Sequence, residues 1–245
     1  MVGFKCEDKV RFFYTKVAWV FILFLVLTAF PGKSFPETKK SASISLLAAI
    51  FPLPPPREDG KTSVERALRQ RRSMREFSEA PLSIQEVSQL LWAAQGVTDE
   101  QGLRTAPSAG ALYPLEVYVV VGSVRDLPEG VYKYQPKTHR LKRISKGDKR
   151  PQLASAALGQ SYVKNNAVLL VFSAVEKRTT GKYGRRGIRY IHMEAGHAAQ
   201  NVYLQAGALG LGTVTVGAFE DDRVRRIMKM SEEERPLYLM PVGKP

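Results

Sequence analysis

From Lys61 onward the sequence predicts an α/β or α+β domain, and three observations carry that prediction. The runs LEVYVVVG (Leu115–Gly122) and AVLLVFSAV (Ala167–Val175) are short, β-branched and apolar on both faces, as strands covered by helices on each side should be. Thr62 with Glu65, and Ser83 with Glu86, have the spacing at which a hydroxyl and a carboxylate reciprocally satisfy the free N–H groups of a helix start. Arg189–Leu209 is rich in Ala and Gly and apolar most of the way round, which predicts a long helix buried on several sides, a second subunit among them.

At the N-terminus, Lys5, Lys9, Arg11 and Lys16 precede the uncharged run VAWVFILFLVLTAF (Val17–Phe30), the order of a signal sequence or signal anchor. The run is shorter than the ~20 apolar residues of a usual membrane span. Leu27 and Ala29 supply only half of the small-residue pair at which a signal is cut. Residues 1–30 thus point to an exported or membrane-anchored protein, or to a cytoplasmic one whose start codon is mis-assigned. Residues 31–60 end in FPLPPPREDG and are expected to be a proline-rich linker, leaving residues 61–245 as the folded domain.

Within that domain the first helix runs into five arginines between Arg66 and Phe77 and ends before Pro81. The second places Ile84, Val87, Leu90, Leu91 and Ala94 on one face. TAPSAGALYP (Thr105–Pro114) is a loop of small residues leading into the first sheet strand; small side chains let a planar ligand approach the backbone, and the Ser108 hydroxyl could bond its polar edge. GVYKYQPKTHRLKRIS alternates on either side of a Pro-Lys-Thr-His turn and reads as a surface hairpin. GKYGRRG (Gly181–Gly187) is expected to be a basic loop, solvated or at the mouth of a site, and GALGLG (Gly207–Gly212) a helix C-cap and turn. GTVTVGAF (Gly212–Phe219) and LYLMPVG (Leu237–Gly243) complete the sheet.

The formal net charge is +14, and +11 of it belongs to residues 61–245, so the predicted fold itself favours anionic partners. Cys6 is the single cysteine, which excludes a disulfide framework and a cysteine-rich metal site. His192 and His197 are five residues apart, roughly 140° around a helix, whereas the zinc pair needs one face; no metal is expected. GALGLG follows a helix and precedes a strand, the reverse of a dinucleotide loop, and GKYGRRG lacks the phosphate-loop spacing. Around Arg71 only Phe77 offers an aromatic face, so a nucleic-acid partner is not expected. A non-catalytic basic protein binding acidic lipid or nucleic acid is the rival of another class, and it predicts steeply salt-dependent binding.

Three blocks occur in a fixed order: RRSMREF, PSAGALYPLEVYVVV and RYIHMEAGHAAQNVYLQAGALGLGTVTVGAF. On them, the chain from about Thr62 to Pro245 resembles the FMN-dependent nitroreductase superfamily. The hairpin GVYKYQPKTHRL and the ending PVGKP resemble its SagB-type dehydrogenase branch. The resemblance implies an α+β nitroreductase-like fold, a central mainly antiparallel sheet flanked by helices, in a domain-swapped homodimer with two FMN sites at its interface. It assigns Arg71 to the FMN phosphate, Arg72 and Ser73 to phosphate or ribityl oxygens, and Arg75 to the pyrimidine edge of the ring. Pro107, Ser108, Ala109 and Gly110 would come from the other subunit and pack on the ring. Val216 and Gly217 would offer backbone N–H groups to its N5 and O4 region. Lys244 stands where many members carry further basic residues for the phosphate, and Tyr183 and Leu112 fall at the substrate pocket. Many SagB-type sequences are acidic where this chain has Arg185, which bears on substrate preference.

An arginine fork suits a phosphate, and a cation beside the ring favours its reduced state, so the chain itself needs no catalytic acid or base. The implied reaction is ping-pong hydride transfer from NAD(P)H to a small organic acceptor such as a nitro compound or quinone. The SagB-type alternative oxidises an azoline-like heterocycle, and a third reading is a flavin-binding homologue without turnover.

Overall fold

A computed structural model describes residues 49–245. The predicted signal segment and residues 31–48 of the predicted linker lie outside the described residues. Among the described residues no helix is long and apolar enough to cross a membrane.

In chain order the elements are β1 (Ile50–Pro52), α1 (Val64–Gln70), α2 (Ile84–Gln95), β2 (Leu115–Val121), β3 (Gly130–Gln135), β4 (Arg140–Lys146), α3 (Arg150–Ala156) and α4 (Ser161–Lys164). They continue with β5 (Val168–Val175), α5 (Lys177–Tyr183), α6 (Arg186–Ala208), β6 (Gly212–Thr213), α7 (Asp221–Met228) and β7 (Glu234–Gly243). The strands form one sheet in the order β1-β4-β3-β2-β5-β7-β6, and every strand pairing in it is antiparallel. The sheet is therefore more uniform than the mainly antiparallel expectation, and the order of elements resolves to α+β.

Both faces of the sheet are covered, which is why β2 and β5 carry no polar alternation. Val117, Val119 and Val121 of β2 and Leu170 and Phe172 of β5 pack with Leu90, Leu91, Ile191, Ala195, Ala198 and Val202 from α2 and α6. The intervening Tyr118, Val120, Leu169 and Val171 pack on the opposite side with Leu153, Val163, Val224 and Met228 from α3, α4 and α7.

Several boundaries differ from expectation. The end of the predicted linker belongs to the fold: β1 pairs with β4 through Ile50↔Lys142 and Pro52↔Arg140, and Leu53 is buried. Prolines are tolerated there because β1 is an edge strand and lacks a neighbour on its outer side. The Ser88 hydroxyl donates to the Pro54 carbonyl at 2.6 Å, and His139 Nε2 lies 3.0 Å from the same oxygen. Ser63, not Thr62, caps α1, accepting the Arg66 N–H at 3.2 Å, and α1 stops at Gln70, well before Pro81. The capping box of α2 forms as its spacing predicts, with Ser83 N–H donating to Glu86 at 2.6 Å. The expected loop Gly181–Gly187 is mostly helical, broken at Gly184 and Arg185, where the φ of 55° at Gly184 ends α5. The expected strand Gly212–Phe219 shortens to β6 and a single bridge from Val216 to Leu239.

Candidate functional site

The segment after α1 is extended and lies across the end of the sheet. Met74 N–H donates to the Thr213 carbonyl at 2.9 Å, and Ser78 N–H donates to the Lys244 carbonyl at 2.9 Å. Two glycines make the close approach feasible: a β-carbon on Gly212 would lie 3.0 Å from Met74, and one on Gly243 would lie 2.8 Å from the Phe77 side chain. The arginines are thereby fixed beside β6, the C-terminal end of β7 and Lys244. Arg71 is half-buried, its guanidinium 5.3 Å from the centre of the Tyr203 ring. Ser73 Oγ lies 3.1 Å from the Tyr203 hydroxyl, which accepts the Thr215 N–H at 2.8 Å. Tyr203 thus clamps the arginine segment to the stretch after β6. Arg75 is exposed, 5.8 Å from the Tyr162 ring centre. None of Arg71, Arg72 or Arg75 forms an ion pair among the described residues.

Two expectations on this side change. Arg72 turns back onto the end of α1, donating to the carbonyls of Arg69 at 3.1 Å and Arg71 at 2.7 Å, so it satisfies orphan helix carbonyls rather than pointing with Arg71. The Val216 N–H is spent on the Leu239 carbonyl at 2.8 Å and is not offered to a ligand. Gly217 is exposed, and its N–H has no acceptor among the described residues.

The second group of residues surrounds a 3-10 turn over Ala109–Ala111. Gly110 has φ 64°, and Ala111 and Tyr113 are also left-handed, at 51° and 45°. Non-glycine residues held there store strain that the surroundings must offset, a habit of functional loops. Ser108 Oγ accepts the Tyr113 N–H at 2.9 Å, so this hydroxyl shapes the turn instead of standing free for a ligand edge. Pro107 and Gly110 are exposed, and Ala109 and Leu112 are half-buried. The Tyr183 hydroxyl and the Lys182 ammonium lie against Gly110, bringing the end of α5 to the loop. Beneath the loop, Arg104 donates to Gln95 at 2.8 Å and stacks 4.3 Å from the centre of the Tyr113 ring, and Asn201 donates to the Thr105 carbonyl at 3.1 Å. Burial pushes the Glu194 carboxyl up to about 7, with Ser108, Arg104 and Gln95 drawing it partly back. Burial also lowers Arg104.

The two groups do not form one pocket in one chain. Glu194, under the loop, and Tyr203, against the arginines, are nine residues apart on α6. That separation is about 14 Å along the axis and half a turn around it. Asn201, seven residues from Glu194, returns to the loop side. Sequence reasoning missed Tyr203, Thr215, Gln95, Arg104, Glu194 and Lys182. Glu194 carried a signal, as the sole acidic residue of α6; Tyr203 carried none, since an aromatic in an apolar helix reads as core. His192 and His197 are exposed, and no cluster of metal-ligating side chains occurs among the described residues.

A family model described as the nitroreductase family matches residues 68–244. The chain is 52% identical over 181 residues to a Methanocaldococcus jannaschii protein named "putative nitroreductase", covering 74% of this chain and 90% of that protein. A crystal structure of a Ralstonia eutropha protein of the same description superposes with a TM-score of 0.71 and 32% identity, over 80% of this chain and 89% of that one. A chain of the Escherichia coli microcin synthetase McbBCD complex, solved with truncated pro-MccB17 bound, superposes with a TM-score of 0.63 and 26% identity, over 73% of this chain and 72% of that one. With residues 68–244 carrying the arginine segment, the strained loop and the helix between them, this chain belongs to the nitroreductase family, whose members are oxidoreductases.

Proposed function

We propose that the protein is an FMN-dependent oxidoreductase that works as a homodimer, moving hydride in ping-pong fashion from NAD(P)H to a small organic acceptor such as a nitro compound or quinone. When bound, FMN supplies the hydride acceptor and donor at its N5. The residues fit such a group: two guanidinium groups without acidic partners among the described residues, Arg71 and Arg75, are held with Ser73, Lys244 and the free Gly217 N–H around one end of the sheet. That unpaired cationic cradle is the observation that carries the reading. Arg71 would hold the phosphate, since a planar fork matches it, and the exposed Arg75 would face the ring with positive charge. The ring would be covered by Pro107–Gly110 of a second copy, because the loop and the cradle of one chain lie on opposite sides of α6. Tyr183 would close that wall and orient the acceptor.

The exposed face of α6 supports the second copy. Arg189, Met193, Gly196, Gln200 and Gly207 recur along one stripe, Met193 is 51% exposed, and a β-carbon on Gly196 would meet nothing within 4 Å. Small residues on an open helix face let another backbone come close.

The test is the purified protein itself. A yellow protein with an FMN spectrum, bleached anaerobically by NADH or NADPH and recoloured by a nitroarene or quinone, is the expected result; a colourless protein that cannot be reconstituted would sink the proposal. A second reading is favoured by the likeness to the McbBCD complex with its bound pro-peptide. In it the same site takes hydride from an azoline-like ring of a modified peptide, and the protein stays yellow with nicotinamide but is bleached by such a ring.

A further inference from the structure

A cavity of about 760 Å³ lies away from the arginine cradle, where the sheet comes apart. Registered pairing of β2 with β3 ends at Tyr118↔Lys133. Beyond it β2 continues to Leu115 against β5, and β3 continues to Gln135 against β4. The gap is floored by Leu115, Val117 and Tyr134 and walled by Tyr113 and Leu112, the far side of the strained loop. Six cations line it: Arg104, Lys133, Lys137, Arg140, Lys142 and Arg178, against the one carboxylate of Glu116. Glu116 is already engaged by Lys133 at 3.3 Å and by Arg178. Arg104, Lys137, Arg140 and Lys142 have no ion pair among the described residues.

Two features point to a ligand. Lys142 and Arg140 stand on one face of β4 beside their register partners Lys133 and Gln135; Lys133 is neutralised by Glu116 at 3.3 Å and Glu234 at 3.1 Å, whereas Lys142 and Arg140 have no ion pair among the described residues. Gln95 is fully buried on the cleft wall with its oxygen taken by Arg104 and its Nε2 without a hydrogen-bond partner among the described residues. We infer that this cleft binds a small phosphorylated molecule of nucleotide size, its phosphates between Arg104 and the Arg140–Lys142 strand and its less polar part against Tyr113, Tyr134 and Val117. The volume suits one such molecule, and Lys137, Arg140 and Lys142, without ion pairs among the described residues, match its charge. Because Leu112 and Tyr113 belong to the same turn as Gly110, an occupant would brace that turn.

The probe is ADP, titrated calorimetrically into the FMN-loaded full chain, with pyrophosphate and hexaglutamate as parallel arms. ADP should bind saturably, once per chain, without releasing flavin. Arg140→Glu with Lys142→Glu should weaken it at least tenfold while flavin content stays at the wild-type level; if that pair does not fold, Arg140→Gln with Lys142→Gln should act in the same direction. Arg71→Ala should retain ADP binding even where it loses flavin, which separates this site from the flavin reading. Pyrophosphate binding more weakly than ADP supports a nucleotide-sized ligand. The inference is overturned by no saturable ADP binding, by unchanged affinity in both paired variants, by ADP displacing flavin, or by hexaglutamate binding more tightly than ADP.

Discussion

At the scale of single residues, the buried charges make opposite demands on pH. Glu194 is 2% exposed and its carboxyl is pushed up to about 7 from an ordinary 4.5. Such a raised acid costs the fold nothing below pH 4.5, costs more as pH climbs, and reaches its full penalty above about 7. The gap corresponds to about 3 kcal/mol. Glu194→Gln should therefore melt higher than the wild type at pH 8 and level with it near pH 4.5; equal melting temperatures at pH 8 would show that Glu194 is not strained. Glu234 behaves differently. Burial drives it up, but the Tyr118 hydroxyl at 2.8 Å, the Lys133 ammonium at 3.1 Å and the Ser173 hydroxyl at 2.9 Å outweigh burial and hold it below its ordinary value. In the cradle, Arg71→Ala should release FMN far more readily than Arg178→Ala, whose guanidinium is committed to Glu116. Equilibrium dialysis of the two holoproteins decides this, and equal retention would remove Arg71 from the phosphate.

At the scale of elements, the His139 turn shows how much of the chain's start is tied down by one ring. His139 has φ 47°, its Nδ1 takes the Tyr134 hydroxyl at 2.8 Å, and its Nε2 meets Ser88 at 2.7 Å and the Pro54 carbonyl. Burial lowers its pKa beneath 6.5, although the Pro54 carbonyl opposes that shift. The neutral ring is the folded form, so its contribution is complete above pH 6.5 and is lost as pH falls below that value. The amides of Ile50, Phe51 and Leu53 should exchange markedly faster at pH 5 than at pH 7.5 relative to those of β5, and unchanged ratios would refute the role. None of this was legible beforehand, because a prolyl stretch with no periodicity reads as linker until its tertiary partners are known. The strands β2 and β5 were legible for the converse reason: burial on both faces leaves an apolar run that only a covered strand or a buried helix tolerates, and its length chose the strand. The arginine segment was legible as a cluster, but its conformation depends on Gly212 and Gly243, more than a hundred residues away. The open side of α6 was likewise visible as excess apolarity. Gly196→Leu should fold and melt like the wild type as a monomer, yet elute from a sizing column at half the native mass; a dimer of normal size would place the contact elsewhere.

At the scale of the whole molecule, α6 separates a cationic cradle from the strained loop expected to complete it, and the separation sets what mixtures of damaged chains can do. Let one parent carry Arg71→Ala and the other Gly110→Val, each inactive alone. Unfolded together and renatured, they would assemble randomly, and each mixed pair would contain one cavity with both lesions and one with neither. Activity should reappear in the mixture at about a quarter of the wild-type level, since half of the pairs are mixed and each has one sound cavity. Two copies of this chain would then form a partnership in which each repairs the other's defect only by exchanging halves.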